Sequence, residues 1–209
     1  MLMSEVKPSI DISDKGPFIV KNLQRLTDAQ DQPVAMAKEV IALCRCGASK
    51  NKPFCDGAHA DIGFSGDKER EETYPAREFV DGDLTIVDNI GVCCHAGECV
   101  HGAPGAFFEW DGDERMSVPS GEAREKIIEI IRKCPSGSLA YKLKGELQDD
   151  FFSEAEVFIE KDGPLHVRGG IVLNGVEVVS QNHYTLCRCG ASKNKPFCDG
   201  AHKEAGFKG

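Results

Sequence analysis

Thiols and imidazoles dominate the side chains of this sequence that could do chemistry. The stretch Leu43–His59 reads LCRCGASKNKPFCDGAH, and it returns without change as Leu186–His202. Each copy spaces its donors as C-x-C-x8-C-x3-H: Cys44, Cys46, Cys55 and His59, then Cys187, Cys189, Cys198 and His202. Three thiolates and one imidazole this close in sequence can close around a metal centre without help from distant chain. Zinc accepts such a donor set, but structural zinc sites usually space their paired cysteines about two to four residues apart. The one-residue step suits two thiolates on one iron of a two-iron cluster, with Cys55 and His59 on the other iron.

The residues between the donors fit a tight loop. Gly47 permits positive φ and close backbone approach. Pro53 fixes the turn that returns Cys55. Asp56 is placed to N-cap a short helix carrying His59. Lys50 and Lys52 add positive charge beside a net-negative centre.

Both copies match the signature C-x-C-x2-[ST]-x3-P-x-C-D-G-[SAT]-H at every position, including Ser49, Pro53 and the Cys55-to-His59 ending. The segment resembles the CDGSH iron–sulfur domain, the mitoNEET-like family. The resemblance implies one 2Fe–2S cluster in each copy, held by three cysteines and one histidine. It also implies a β-rich body shared by two units. In the family that pair is usually a homodimer, and tandem-motif members make it within one chain. A monomer is therefore expected here, with the two units paired about a pseudo-twofold axis and each lending a strand to the other. A ligating imidazole further makes proton-coupled reduction an expectation.

A third group lies between the copies. Cys93, Cys99 and Cys134-Pro135 form C-x5-C…C-P, where bacterial ferredoxins write C-x2-C-x2-C…C-P. The missing middle cysteine is Ala96. Three thiolates are what a 3Fe–4S cluster needs. A 4Fe–4S cluster results if His95 takes the fourth iron. The loop puts residue 96, not 95, at the usual fourth position, which favours 3Fe–4S. Cys94 is a further candidate, with a small buried apolar role as its plainer reading. The segment resembles the divergent mono-cluster ferredoxin family. Cys93, His95, Cys99, Pro104, Phe107, Cys134, Pro135, Gly137, Ser138 and Leu139 carry that likeness. The resemblance implies a 4Fe–4S cluster whose fourth ligand is none of the three cysteines. The alternative for this segment is a small α+β domain with buried thiols.

These donors need elements to hold them. Ile10 and Ile12 alternate, Asp14–Pro17 reads as a turn, and Phe18–Val20 as a second strand. The apolar stretch Val34–Leu43 leads into the first loop. The same preamble recurs as Val157–Ile159, the turn Lys161–Pro164, and Leu165–Val167. Ile171–Leu173 and Val176–Val179 flank Asn174-Gly175, a strong hairpin signal, and Tyr184–Leu186 enters the second loop. The repeated units are thus residues 8–66 and 155–209. A charged linker, Asp67–Glu72, leads to a middle domain over 73–145. There Glu78–Val80 and Leu84–Val87 flank Asp81-Gly82. Ser120 could N-cap a helix over Gly121–Lys133 whose Ala123, Ile127, Ile130, Ile131 and Cys134 share one face. Phe107, Phe108 and Trp110 are expected in the middle core. His101, His166 and His183 have no ligand-like company. The fold class is α+β: two small β-rich CDGSH units and a small α+β ferredoxin-like domain.

The chain has 209 residues, ten of them cysteines, and a net charge of −9. That acidity argues against nucleic acid as a partner. The start MLMSEVKPSIDIS lacks the apolar core of a secretory signal, and no apolar run is long enough for a membrane span. Thiols used as ligands suit a reducing cytoplasm. No phosphate loop or nucleophile set appears, so no enzymatic activity is expected. The expected role is electron transfer to a redox partner protein. The rivals are a cluster donor or scaffold serving an apo iron–sulfur acceptor, a redox sensor, and a structural zinc-binding interaction module.

Overall fold

Two four-stranded sheets lie between the repeats, and neither repeat completes its sheet alone. The computed structural model describes residues 6–71, 74–111 and 114–209. Glu72 and Thr73, at the linker's end and the middle domain's start, and the Trp110 side chain lie outside the described residues. The first sheet runs Val172–Leu173, Ser9–Ile12, Phe18–Lys21, Val40–Leu43. Its last three strands belong to the first repeat and pair antiparallel. Val172–Leu173 comes from the second repeat and lies parallel to Ser9–Ile12, with Ser9 opposite Val172. The second sheet runs Tyr184–Leu186, Leu165–Arg168, Glu156–Ile159, Arg25–Thr27. Here the first repeat supplies Arg25–Thr27, parallel to Glu156–Ile159, with Leu26 opposite Val157.

The exchange follows from the size of the units, each too small to bury much apolar surface alone. Phe18 and Val20 alternate inward along their strand while Lys21 faces water, the two-residue period of a half-buried strand. Phe18, Leu26 and Leu43 meet Val157, Leu165 and Leu186 in one core drawn from both repeats. At the second junction Glu156 is buried, yet its carboxylate accepts from Thr27 Oγ1 and Arg25 Nε at 2.7 Å each and from Arg168 Nη1 at 3.3 Å. Burial works against its charge, but these donors hold its pKa below the usual carboxylate range.

Several expectations are corrected. No hairpin forms around Asn174-Gly175: Val176–Val179 is not a strand. Val172–Leu173 pairs instead with the other repeat, and Asn174 extends the contact through its N–H to Ile10 O (2.9 Å) and its Nδ2 to Asp11 Oδ1 (2.7 Å). Only Val40–Leu43 of the stretch 34–43 is strand, while Val34 and Met36 pack loosely on the core. The charged linker is strapped down. The N–H groups of Glu69 and Arg70 donate to Lys193 O at 2.9 and 2.8 Å, and Glu69 pairs with Lys195 at 2.9 Å.

The middle segment forms an antiparallel sheet, Glu146–Gln148, Leu139–Leu143, Leu84–Asp88, Arg77–Asp81. Its first hairpin is present, but Asp81 pairs with Leu84, so the two loop residues are Gly82 and Asp83. The helix spans Arg124–Arg132 with Ala123 as N-cap, so it starts later than expected. Gly121 turns back to Val118 through a 2.9 Å hydrogen bond and abuts the Gly105 backbone, which keeps the chain out of a helix there. Ile127, Ile130 and Ile131 are buried against Ile86, Phe107 and Leu139. Phe108 does not join them; it is 65 % exposed.

The middle segment abuts the second repeat at His183, which is fully buried between the rings of Phe151 and Phe152, at 5.4 and 5.1 Å between centroids. Burial lowers its pKa to about 4 from the ordinary 6.5. Between those values the unfolded chain binds a proton that the folded chain refuses. Stability from this residue is therefore full above pH 6.5 and falls as the pH drops towards 4. Urea titrations should show wild type losing about 3 kcal/mol more than His183→Gln across that window.

Candidate metal centres

Each loop is tied to the strand that precedes it. Strand Val40–Leu43 delivers Cys44, whose N–H donates to Pro53 O at 2.8 Å, and Cys55 N–H donates back to Ala42 O at 2.8 Å. Ser49 Oγ donates to Phe54 O (2.6 Å) and accepts from Asn51 N–H (3.0 Å). Asp56 is a clamp rather than an N-cap. Its carboxylate accepts from the N–H groups of Lys50 (2.8 Å) and Ala58 (3.1 Å), and these bonds hold its pKa below the usual range. The short helix Ala58–Asp61 has Gly57 as its N-cap. The second loop repeats these bonds: Cys187 N–H to Pro196 O (2.9 Å), Ser192 Oγ to Phe197 O (2.7 Å), and Asp199 with Lys193 and Ala201 (2.9 and 3.1 Å). There the residues after Gly200 form turns, not a helix.

The donors meet two by two. Cys44 Sγ lies 3.9 Å from Cys46 Sγ, and Cys55 Sγ lies 3.4 Å from His59 Nδ1. In the second loop Cys187 and Cys189 are 3.5 Å apart, and Cys198 Sγ and His202 Nδ1 are also 3.5 Å apart. Among the described residues no three His, Cys, Asp or Glu side chains converge to hold one metal ion. Two donors per metal, twice, suits a two-iron cluster. Four donors about one point, as zinc requires, is not what the loops present. Burial pushes the thiols of Cys46 and Cys198 up. Cys187 is drawn down to about 6 by the S–H of Cys189 and by backbone N–H groups, while Cys189, donating to it, is raised. Binding iron as thiolates displaces the remaining protons.

Two functional neighbours escaped sequence reasoning. Arg45 and Arg188 each follow the first cysteine of a loop and are buried, at 5 % and 2 % exposure. Arg188 donates Nε to Gly163 O (2.8 Å) and Nη2 to Gly209 O (2.9 Å), and lies over the Phe207 ring. Arg45 donates Nη1 to Ser13 O (3.2 Å) and lies between Phe18 and Phe64. Burial pushes both guanidinium groups down, while Cys187 acts on Arg45 and Cys44 on Arg188 in the other direction. Acidic groups, Asp67 and Asp14 for Arg45 and Asp162 and Glu160 for Arg188, act in that direction too. The recurrence of the two arginines inside an identical repeat, with no ligand role, was the available signal.

The three middle cysteines line one small cavity, together with Cys94, Pro135 and Ser138. Cys93 follows the turn Ile90–Val92, Cys99 sits on the helix Glu98–Gly102, and Cys134 follows Arg124–Arg132. His95 is exposed and does not line that cavity; its carbonyl accepts from Lys203 Nζ at 2.7 Å. Cys94 is buried at 4 % exposure, which pushes its thiol up to about 12. Of the other histidines, His166 pairs with Glu160 at 2.7 Å.

The family model for the iron-binding zinc finger of CDGSH type matches residues 15–60 and 162–203, and that for a divergent 4Fe–4S mono-cluster matches residues 79–144. The chain carries two CDGSH-type units around a divergent 4Fe–4S mono-cluster domain. It is an iron–sulfur protein. No curated protein and no solved structure matches it. Among the described residues, no helix is long and apolar enough to cross a membrane.

The two CDGSH loops touch through their backbones at Cys46 and Cys189. A Cβ on Gly47 would lie 2.4 Å from Cys189 O, and one on Gly190 2.5 Å from Cys46 O, at φ +80° and +81°. Gly47→Ala and Gly190→Ala should each cost at least about 3 kcal/mol, from backbone strain plus this clash. Gly57→Ala, which meets open space, should cost about 1–2 kcal/mol from strain alone. Denaturant midpoints of the three variants check the order.

Proposed function

We propose that the chain is an electron-transfer protein with three iron–sulfur centres. Cys44, Cys46, Cys55 and His59 would hold one 2Fe–2S cluster and Cys187, Cys189, Cys198 and His202 another. Cys93, Cys99 and Cys134 would hold a 3Fe–4S cluster, a reading supported by the exposed His95; a 4Fe–4S cluster is the alternative. The carrying observation is the two-by-two meeting of donors in both loops, Cys44 with Cys46 and Cys55 with His59, then the same in the second copy. It favours iron–sulfur over a zinc module. When bound, such clusters supply one-electron chemistry.

The chain's own residues give that chemistry its conditions. Buried Arg45 and Arg188 offset negative charge gathered at the facing loop. Core side chains of both units exclude water from the thiol side. The imidazoles turn Nδ1 towards Cys55 and Cys198, which leaves Nε2 to take up a proton as the centre gains negative charge. The reciprocal strand exchange supports a pair of units related by a pseudo-twofold axis within a monomer. The acidic chain, at −9, suits docking on a basic face of a redox partner protein. An apo iron–sulfur acceptor is the other partner class, and the setting is a reducing cytoplasm. We assign no enzymatic activity.

Potentiometric titration of the CDGSH centres between pH 6 and 8 tests this role. Their potential should fall with rising pH, by up to about 59 mV per pH unit for one proton per electron. A flat potential would remove the proton from the mechanism.

A further inference from the structure

The two loops have the same seventeen residues, so any difference between them comes from what surrounds them. That difference is large. Gly57 of the first loop faces open space, whereas a Cβ on its counterpart Gly200 would meet Cys94 O at 3.2 Å and His95 Cβ at 3.4 Å. Cys55 and His59 are half-buried; Cys198 and His202 are 2 % and 8 % exposed. Asn51 is exposed, while Asn194 is buried and donates Nδ2 to Gly91 O at 2.8 Å. Lys195 is buried against Glu69. Just past the repeat, Lys203 stands where the first unit has Ala60, and its Nζ donates to His95 O.

We propose that the middle domain covers Cys198 of the second CDGSH site with the loop Gly91–Ala96 and leaves Cys55 of the first site the more open of the two. The inference rests on the iron–sulfur reading above and deepens it. The second site then faces two ways inside the molecule. It meets the first loop at the Cys46–Cys189 backbone contact. It meets the middle centre through Cys94, which lines the middle cavity with Cys93, Cys99 and Cys134 and whose carbonyl lies against Gly200. The centres so stand in the order first, second, middle. Cys198 is shut from solvent, whereas His202 borders an open cleft of about 300 Å³ that it shares with Ala96, His166 and Lys203, so a partner meets the second site only at that imidazole edge. Asn194 and Lys203 are positioning residues: their side chains hold the covering loop through Gly91 O and His95 O.

The test uses the loaded full-length chain, an excess of a soluble iron chelator, and iodoacetamide to trap thiols as they are released. Mass spectrometry follows Cys55 and Cys198 separately. Cys55 should be labelled at least about tenfold faster than Cys198, because the second site must open locally before reagent enters. Equal rates, or Cys198 first, would overturn the seal. The double variant Asn194→Ala/Lys203→Ala should speed labelling of Cys198 and leave Cys55 unchanged, an outcome general destabilisation would not give. An unchanged Cys198 rate would overturn the role of the Gly91–Ala96 loop. If the purified chain holds no iron and sulfide, the iron–sulfur reading fails, and the Cys55-to-Cys198 labelling ratio of that chain still decides the question of access.

Discussion

The structure depends on two glycines that let two backbones touch. At Gly47 and Gly190 the CDGSH loops approach until no side chain fits between them. Behind that contact lie two buried arginines, each held by carbonyls of its own unit: Arg45 by Ser13 O and Gly66 O, Arg188 by Gly163 O and Gly209 O. A buried guanidinium without a nearby negative charge would be expensive. Each loop needs the other for its packing. The exchanged strands Arg25–Thr27 and Val172–Leu173 make the same demand on the sheets. Neither unit has a complete sheet or a complete core without its counterpart.

The candidate donors were legible because their signal is local. Metal-binding loops of this kind are written in consecutive residues, and an identical repeat leaves little freedom of reading. Hairpins closed by short turns, such as Arg77–Asp81 with Leu84–Asp88, were legible for the same reason. Arg25–Thr27 was not, since three residues carry no period to detect. Its strand character comes from the edge of Glu156–Ile159, far along the chain. Asn174-Gly175 shows the converse: a good local turn signal lost to a neighbouring sheet edge in the other repeat. The helix start moved because Gly121 is held against Gly105, a contact that no propensity encodes.

What local sequence could not carry at all is the inequality of the two sites. The identical loops repeat the same internal clamp, as Ser49 and Ser192 show. Their exposure differs because the linker lies against the second loop at Lys195 and the middle domain at Asn194, Gly200 and Lys203. The strapped linker brings this about, since Glu69 and Arg70 are pinned to Lys193 before the middle domain begins. A duplicated motif thus gains two environments from one insertion between its copies. For an iron–sulfur protein this matters, because exposure, charge and hydrogen bonding around a cluster set its potential.

The central claim is that these thiols and imidazoles hold iron and sulfide in three separate centres. Iron, acid-labile sulfide and zinc should be quantified together, with EPR, on protein purified without oxygen. The account predicts about seven iron and about eight sulfide per chain, little zinc, and an oxidised three-iron EPR signal. Zinc in place of iron, with no labile sulfide, would contradict it and leave a structural module.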